Sequence, residues 1–423
     1  MSEHTTPSTA SLAPDHVPWL DGLRGIAALW VFLSHVQILS GMGFVPLVSW
    51  GGLAVDLFMM LSGFLMAHHY LLRQDREPWG QPATWVSFWL RRFFRIAPLY
   101  YLLLVVALAV GPWLGDQRDS IAAAWPHTDT AAERYDDQSV ANLLVHMSFA
   151  FGMVPDYAFR TALPDWSIGL EMQFYLLFPL LMMMVARLGA LRAGLVAIVA
   201  CAVARALFPA WFQRFEMPAF LPMKLYVFFI GMWIALSRRQ GRMGRGLVVS
   251  LLLAGAIAAA KPHWEAIARV GMVLALFYLM TDGSLPTRPA LTRAVDWVRA
   301  RLSGRVSVFL GDTAYGFYLV HLLVLLPVGG ALARESQYLG WPAELRWLCA
   351  TAIAGPIAYG IAWLLYRGIE QPGIRLGKAV VAQFRDRAGW RAIHSTPVAS
   401  TAPPAMPIES ASKSAHSASR PGT

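Results

Sequence analysis

Runs of about 20 mostly apolar residues recur along the chain, and that repetition decides what it can fold into. A bilayer's hydrocarbon core is crossed by a helix of about 20 residues, and a helix satisfies its own backbone polar groups there. Ten runs are candidates, those near Gly246 and Ala268 being short: Trp19–Ser40, Gly51–Leu72, Arg92–Val110, Trp166–Ala186, Leu191–Phe208, Ala219–Leu236, Gly246–Ala260, Ala268–Met280, Val306–Gly329 and Leu345–Tyr366. Charged residues are only 14 % of the 423, against 57 % hydrophobic, where a soluble chain carries about 25 % charged. Too few charges remain to coat a water-facing surface of this size. The expected fold is therefore all-α, a polytopic membrane bundle of about ten transmembrane helices. Val140–Val154 is short for a crossing and reads as a re-entrant or surface helix.

The charges that do occur sort by side. Lys and Arg exceed Asp and Glu by 35 − 25 = 10. In a soluble protein that excess would suggest nucleic acid as a partner; in a membrane bundle it follows from basic loops staying in the cytoplasm, and no nucleic-acid partner is expected. If Val140–Val154 does not cross, one set of loops collects the segments Arg73–Arg95, Arg187–Arg192, Arg238–Arg245, Arg288–Arg305 and Arg367–Arg391, with 22 basic residues against 6 acidic once Asp282, in the same loop as Arg288, is included. The loop at 111–165 on the other side carries Asp116, Asp119, Asp129, Glu133, Asp136 and Asp137. An eleventh crossing would put Arg238–Arg245 outside. Ten spans with both termini cytoplasmic follow. Residues 1–17 read as a disordered N-terminus, 18–376 as the membrane domain, and 377–423 as a basic, then disordered tail rich in Ser, Ala and Pro. The first 17 residues hold no Lys or Arg and do not read as a secretory signal.

Ionisable residues inside a membrane are costly and mark function unless a buried pair explains them. Arg24 and His35 are eleven residues apart in the first run, close to three full turns, so they share one helix face about 16 Å apart. Asp21 can pair with Arg24 or cap the helix. Counted from the span ends, His35, Asp56, Glu171 and His321 fall at similar depth in the outer half. The inner edge holds Arg24, Arg92, Arg95 and Glu370. Arg91, Arg92 and Arg95 open the third run, where free helix N–H groups would also suit an anion; snorkelling to lipid phosphates is the plainer alternative. Two layers result: a basic inner mouth for a polyanionic donor, and a His/carboxylate layer for proton transfer. A carboxylate beside His35 would fix its tautomer. Ser62 and Ser167 are nucleophiles by residue type only, and helix–helix contacts explain them as well. Cys201 and Cys349 lie in apolar stretches. His68 and His69 are adjacent and cannot face one ion, and no His-x3-His or Cys-x2-Cys pair occurs, so no metal is expected. No Gly-rich phosphate loop is present either.

These residues sit in segments that resemble the acyltransferase 3 family of integral-membrane O-acyltransferases. LDGLRGIAALWVFLSH (20–35) resembles the family's first span, with Arg24 and His35 filling its Arg-x10-His signature. GGLAVDLFMMLSGFL (51–65) resembles the second span. LRRFFRIAPLYY (90–101) resembles the Arg-x-x-Arg of the third, here Arg92 and Arg95. WSIGLEMQFYLLFP (166–179) carries Ser167 and Glu171, DTAYGFYLVHL (312–322) carries His321, and IEQP (369–372) carries Glu370. Each piece alone is weak; six in order, over residues 18 to 376, are specific. One departure is Ile168, where leucine is usual.

The resemblance implies an acyl-coenzyme A co-substrate, no bound cofactor, and a glycan or glycolipid acceptor within the lipid bilayer. It also implies a stand-alone membrane domain without a fused extracytoplasmic hydrolase-like domain, and a place in the bacterial cytoplasmic (inner) membrane. By that reading Arg92, Arg95 and Glu370 form the donor site. His35 is the general base, with Arg24 on its face and Glu171 or Asp56 orienting it; Asp21, Ser167 and His321 complete the polar layer. Two other classes remain at this level. A proton-coupled transporter would use the same His35, Asp56, Glu171 and His321, although no internal repeat is evident. A non-catalytic scaffold in an export complex would tolerate their replacement.

Overall fold

A computed structural model describes residues 17–240, 243–258, 263–280 and 289–387. The expected disordered N-terminus, most of the tail, and Arg242 and Arg288 lie outside these residues. The helices are α1 (Pro18–Leu39), α2 (Gly51–Arg73), α3 (Pro82–Ala109), α4 (Gly111–Ala124), α5 (Val140–Met147), α6 (Trp166–Leu188) and α7 (Ala190–Leu207). After them come α8 (Leu225–Arg239), α9 (Met243–Ala258), α10 (His263–Met280), α11 (Pro289–Leu302), α12 (Arg305–Ala333), α13 (Ala343–Leu365) and α14 (Gln371–Arg387). No strand occurs among the described residues.

Among the described residues, seven helices are long and apolar enough to cross a membrane: α1, α2, α3, α6, α7, α12 and the continuous rod of α13 and α14. The expected sixth, seventh and eighth spans are shorter than the others. α8 has 15 residues because the 3-10 turn Leu221–Met223, with Pro222, delays its start. α9 has 16 residues, and the apolar part of α10 runs from Ile267 to Met280.

Two parallel pairs constrain how the chain threads. α1 and α12 run side by side in the same direction, with Gly22 against Leu302 and Ser307, Gly25 against Leu310 and Gly311, Phe32 against Phe317, and His35 against His321. At Gly25 a Cβ would collide with the backbone of α12, so the close approach requires the glycine. α2 and α8 are also parallel, with Asp56 beside Lys224 and Gly63 against the Phe228 carbonyl. A parallel pair of spans needs an odd number of crossings between them. α3, α6 and α7 supply three between α2 and α8; a crossing at Val140–Val154 would make four. Between α1 and α12, the long helices alone supply an even number, so α8, α9 and α10 together must add an odd one. All three crossing meets this and gives ten spans.

The segment 140–154 cannot cross by length either. α5 has eight residues, about 12 Å, and two 3-10 turns follow it. Ser139 caps it by accepting from the Asn142 N–H at 3.1 Å. Asn142 and His146 face inward while Val140 and Leu144 are exposed, the orientation of a helix lying at an apolar boundary.

At the arginine-rich end, α13 passes through a π-helical turn (Tyr366–Glu370) into α14. α14 then lies along the first half of α3, where Gly373 and Gly377 admit Pro98 and Phe94. Glu77, buried in the α2–α3 loop, ties the two helices. It accepts from Arg91 at 3.2 and 2.7 Å and from Arg385 Nη2 at 2.5 Å.

Candidate active site

α3 begins ten residues before the expected third span, at Pro82. Arg91, Arg92 and Arg95 therefore sit in mid-helix, and their backbone N–H groups are spent on the helix itself. The expected helix-start anion site does not exist; any grip on an anion falls to the guanidinium groups. These divide by direction. Arg91 turns to Glu77, whereas Arg92 and Arg95 turn into an internal cavity of about 210 Å³.

The cavity is walled by α1, α2, α3, α6, α8 and α12. Its mouth is near Asp21, Arg24, His69, Arg92 and Arg95, and its head is near Val55, Phe58, Ser167, Ile168 and Tyr318. From His69 to Val55 it follows α2 for about 21 Å of helix rise. Arg24 keeps a loose contact with Asp21 at 4.0 Å. Arg92 lies over the Phe88 and Tyr175 rings at 5.7 and 5.6 Å, and its Nε is buried with no hydrogen-bond partner. Arg95 makes neither a hydrogen bond nor an ion pair with any described residue; Glu370 is the opposite charge that acts on it most strongly. The π-helical turn buries Glu370, and its Oε2 also has no partner. Arg24, Arg92, Arg95 and Glu370 are thus brought to one end of the cavity, with three cations against few committed anions.

The expected outer layer of four ionisable groups resolves into three separate arrangements. His35 and His321 meet: His321 Nε2 lies 3.3 Å from His35 Nδ1, with ring centroids 5.0 Å apart. Each ring also places Nδ1 beside a backbone carbonyl, His35 at 2.9 Å from Val31 O and His321 at 2.7 Å from Tyr318 O. Those carbonyls assign the proton to Nδ1 in both rings. His35 Nδ1–H is then shared between Val31 O and His321 Nε2. His35 Nε2 carries a lone pair with no partner among the described residues, on a half-buried side chain.

Glu171 stands in the cavity wall instead. It accepts from Ser62 Oγ at 3.1 Å and from the Tyr175 hydroxyl. Asp56 belongs to neither group. It is fully buried and holds Lys224 Nζ at 2.6 Å and Arg269 Nη2 at 3.1 Å. The expectation that Glu171 or Asp56 orients His35 is therefore corrected. Both carboxylates are engaged by other donors, and a backbone carbonyl and a second histidine occupy their place. Ser167 meets Tyr318 across the α6–α12 contact, hydroxyl to hydroxyl at 2.8 Å.

Several site residues were not singled out from the sequence. Lys224 and Arg269 lie in the apolar runs Ala219–Leu236 and Ala268–Met280, so the signal was there: both are intramembrane cations. Asp165, Tyr100 and His146 carry weaker signals. Asp165 Oδ2 accepts from Tyr100 and Thr161 at 3.0 Å each and lies 3.7 Å from His146 Nε2. Burial raises its carboxyl above the usual range despite the opposing pull of His146. This knot anchors the start of α6 and so sets the positions of Ser167 and Glu171. Among the described residues, no three candidate metal ligands converge.

A membrane bundle with cationic groups opening into a cavity, and a histidine carrying a free imidazole nitrogen near its far end, has the parts of an integral-membrane group-transfer enzyme. The comparison with known proteins agrees. The profile of the acyltransferase 3 family, described as an acyltransferase domain, matches residues 17–367. The chain belongs to that family and is a membrane O-acyltransferase. It is 29 % identical over 395 residues to the acyltransferase MdmB of Streptomyces mycarofaciens, covering 85 % of this chain and 92 % of that one. It is 28 % identical over 177 residues to the peptidoglycan O-acetyltransferase OatA of Listeria monocytogenes and 31 % identical over 181 residues to the O-acetyltransferase OatA of Staphylococcus aureus. Each of these two matches covers 40 % of this chain and only 25 % of the relative. No solved structure matches.

Proposed function

We propose that the protein moves an acyl group, acetyl by default, from acyl-coenzyme A to a hydroxyl of a carbohydrate, glycolipid or similar acceptor. The observation that carries this reading is the contrast along one cavity. Arginines without committed carboxylates stand at its mouth, and a histidine with a free Nε2 stands beyond its head. The positive-inside bias makes the arginine-rich face cytoplasmic, with both termini on that side of a bacterial inner membrane. Acyl-coenzyme A is made in the cytoplasm and would approach that face.

Arg92 and Arg95 bind the donor's phosphates, since a guanidinium fork matches phosphate geometry. Glu370 and Arg24 complete the mouth. The pantetheine arm extends along the cavity and brings the thioester towards the head. His35 Nε2 takes the proton of the acceptor hydroxyl as its oxygen bonds to the thioester carbon. The tetrahedral intermediate collapses, the carbon–sulfur bond breaks, and coenzyme A leaves as thiolate. His35 returns the proton to that sulfur, so acceptor ester and free coenzyme A balance donor and alcohol. His321 holds the Nδ1–H tautomer, as a carboxylate does in hydrolase triads.

The test is His35→Ala in membranes, with acylated product followed by mass spectrometry and folding by size exclusion. Loss of at least ~100-fold in rate is expected. Full activity in a well-folded His35→Ala protein would sink the mechanism. Mass spectrometry of surface glycans and lipids with and without the gene identifies acceptor and acyl chain together.

A further inference from the structure

Five hydroxyl side chains line the cavity: Ser62, Ser167, Tyr175, Tyr315 and Tyr318. Three have spent their protons. Ser62 and Tyr175 donate to Glu171, and Tyr315 donates to Ile96 O at 2.8 Å. Ser167 and Tyr318 differ, because among the described residues the only hydrogen bond of either hydroxyl is to the other, at 2.8 Å. Two hydroxyls bring two protons and one mutual bond uses one. A second proton is left over, on a group that lines the cavity.

Their place in the cavity is equally particular. Tyr318 is 5 % exposed and packs edge-on against Phe58, with ring centroids 5.8 Å apart. Its own carbonyl holds His321 Nδ1, and its ring centroid is 5.9 Å from that of His321. The spare donor therefore stands at the head of the cavity, one turn of α12 from the histidine pair. Around it are the apolar walls of Val55, Phe58 and Ile168, while the Glu171 carboxylate, one turn of α6 from Ser167, already accepts from Ser62 and Tyr175.

We propose that the Ser167 and Tyr318 hydroxyls receive the thioester carbonyl oxygen and stabilise the oxyanion when the acceptor attacks. The assignment rests on the acyl-transfer reading above and adds two catalytic residues to it. When the donor arrives, the mutual bond opens and both hydroxyls turn to the carbonyl oxygen. As the acceptor oxygen adds, the carbonyl π pair moves onto that oxygen and both donors strengthen. As coenzyme A thiolate leaves, the pair returns to re-form the ester carbonyl. Nothing is oxidised or reduced, and the only proton that moves is the acceptor's, through His35.

Tyr318→Phe keeps the ring against Phe58 and His321 and removes only the hydroxyl. It is expected to lower kcat by about 100- to 1,000-fold with the donor KM nearly unchanged. Ser167→Ala follows the same pattern with a smaller loss, and the double variant falls short of the product of the two, because the residues act as a unit. A second measurement uses two non-reactive donor analogues, one with a ketone in place of the thioester and one with a plain thioether. The unaltered protein is expected to bind the ketone roughly tenfold more tightly, and Tyr318→Phe to lose most of that preference. Equal affinity of the unaltered protein for both analogues overturns the proposal, even if Tyr318→Phe does not fold. So does a Tyr318→Phe kcat within about threefold of normal while His35→Ala is inactive, an outcome that leaves acyl transfer intact. Full activity in both variants removes acyl transfer by His35 as well.

Discussion

Two sets of intramembrane charges stand at different depths in this bundle and behave differently. Asp56, Lys224 and Arg269 tie α2, α8 and α10 with contacts of 2.6 and 3.1 Å. Arg92 and Arg95 face the cavity with no ion pair at all among the described residues. Both sets include arginine within the apolar runs, at similar cost to insertion. The difference teaches that a buried charge reports its task through its partners. A satisfied carboxylate holds helices together, and an unsatisfied guanidinium waits for a ligand.

The comparison breaks most readily at Asp56. Asp56→Ala leaves two cations buried without their anion, a loss of about 3–5 kcal/mol for a broken buried pair. A sharp fall in yield and melting temperature in detergent is expected. A fully stable Asp56→Ala protein would show that the trio does not hold the helices. Arg92→Gln is expected to do the reverse, with near-normal melting and a donor KM raised roughly 10- to 100-fold, the worth of one charge-assisted contact at ~1.5–3 kcal/mol. A KM that stays put while stability collapses would move Arg92 into the structural set.

The smallest effect concerns Glu77, a satisfied carboxylate outside the spans. Burial pushes its carboxyl up, but Arg91 and Arg385 together outweigh this and hold it below its usual range. A depressed carboxylate contributes stability above its unfolded value and loses it as pH falls through the folded one. The docking of α14 on α3 is thus expected to hold at neutral pH and to loosen only below about pH 4. Limited proteolysis of inside-out vesicles across pH reads it, with Glu77→Gln loosening the helix already at pH 7. Cleavage in right-side-out vesicles alone would reverse the proposed sidedness.

Much of this was legible beforehand for a physical reason. The bilayer imposes length and apolarity on each span, so runs such as Gly51–Leu72 and Trp166–Ala186 match α2 and α6 within about two residues. α3 was not delimited correctly, because its first ten residues run along α14 and the Glu77 loop, where no apolar constraint marks a boundary. The face shared by Arg24 and His35 follows from helical period alone. The partners that other helices bring to His35, Glu171 and Asp56 do not, because His321, Ser62, Lys224 and Arg269 lie over a hundred residues away and depend on which spans pack in parallel. His321 could be placed in the outer half from sequence. That it would take the position of a carboxylate beside His35 needed the α1–α12 register.

That register also fixes when the protein becomes competent. α1 leaves the ribosome first, yet the surface that receives its glycines and His321 arrives some 290 residues later. Until α12 is in place, His35 has no second ring to steady it and the cavity has no Tyr318 to close its head. Truncation anywhere before residue 321 therefore leaves a membrane-inserted chain without the paired histidines, and that pairing is among the last contacts acquired during synthesis.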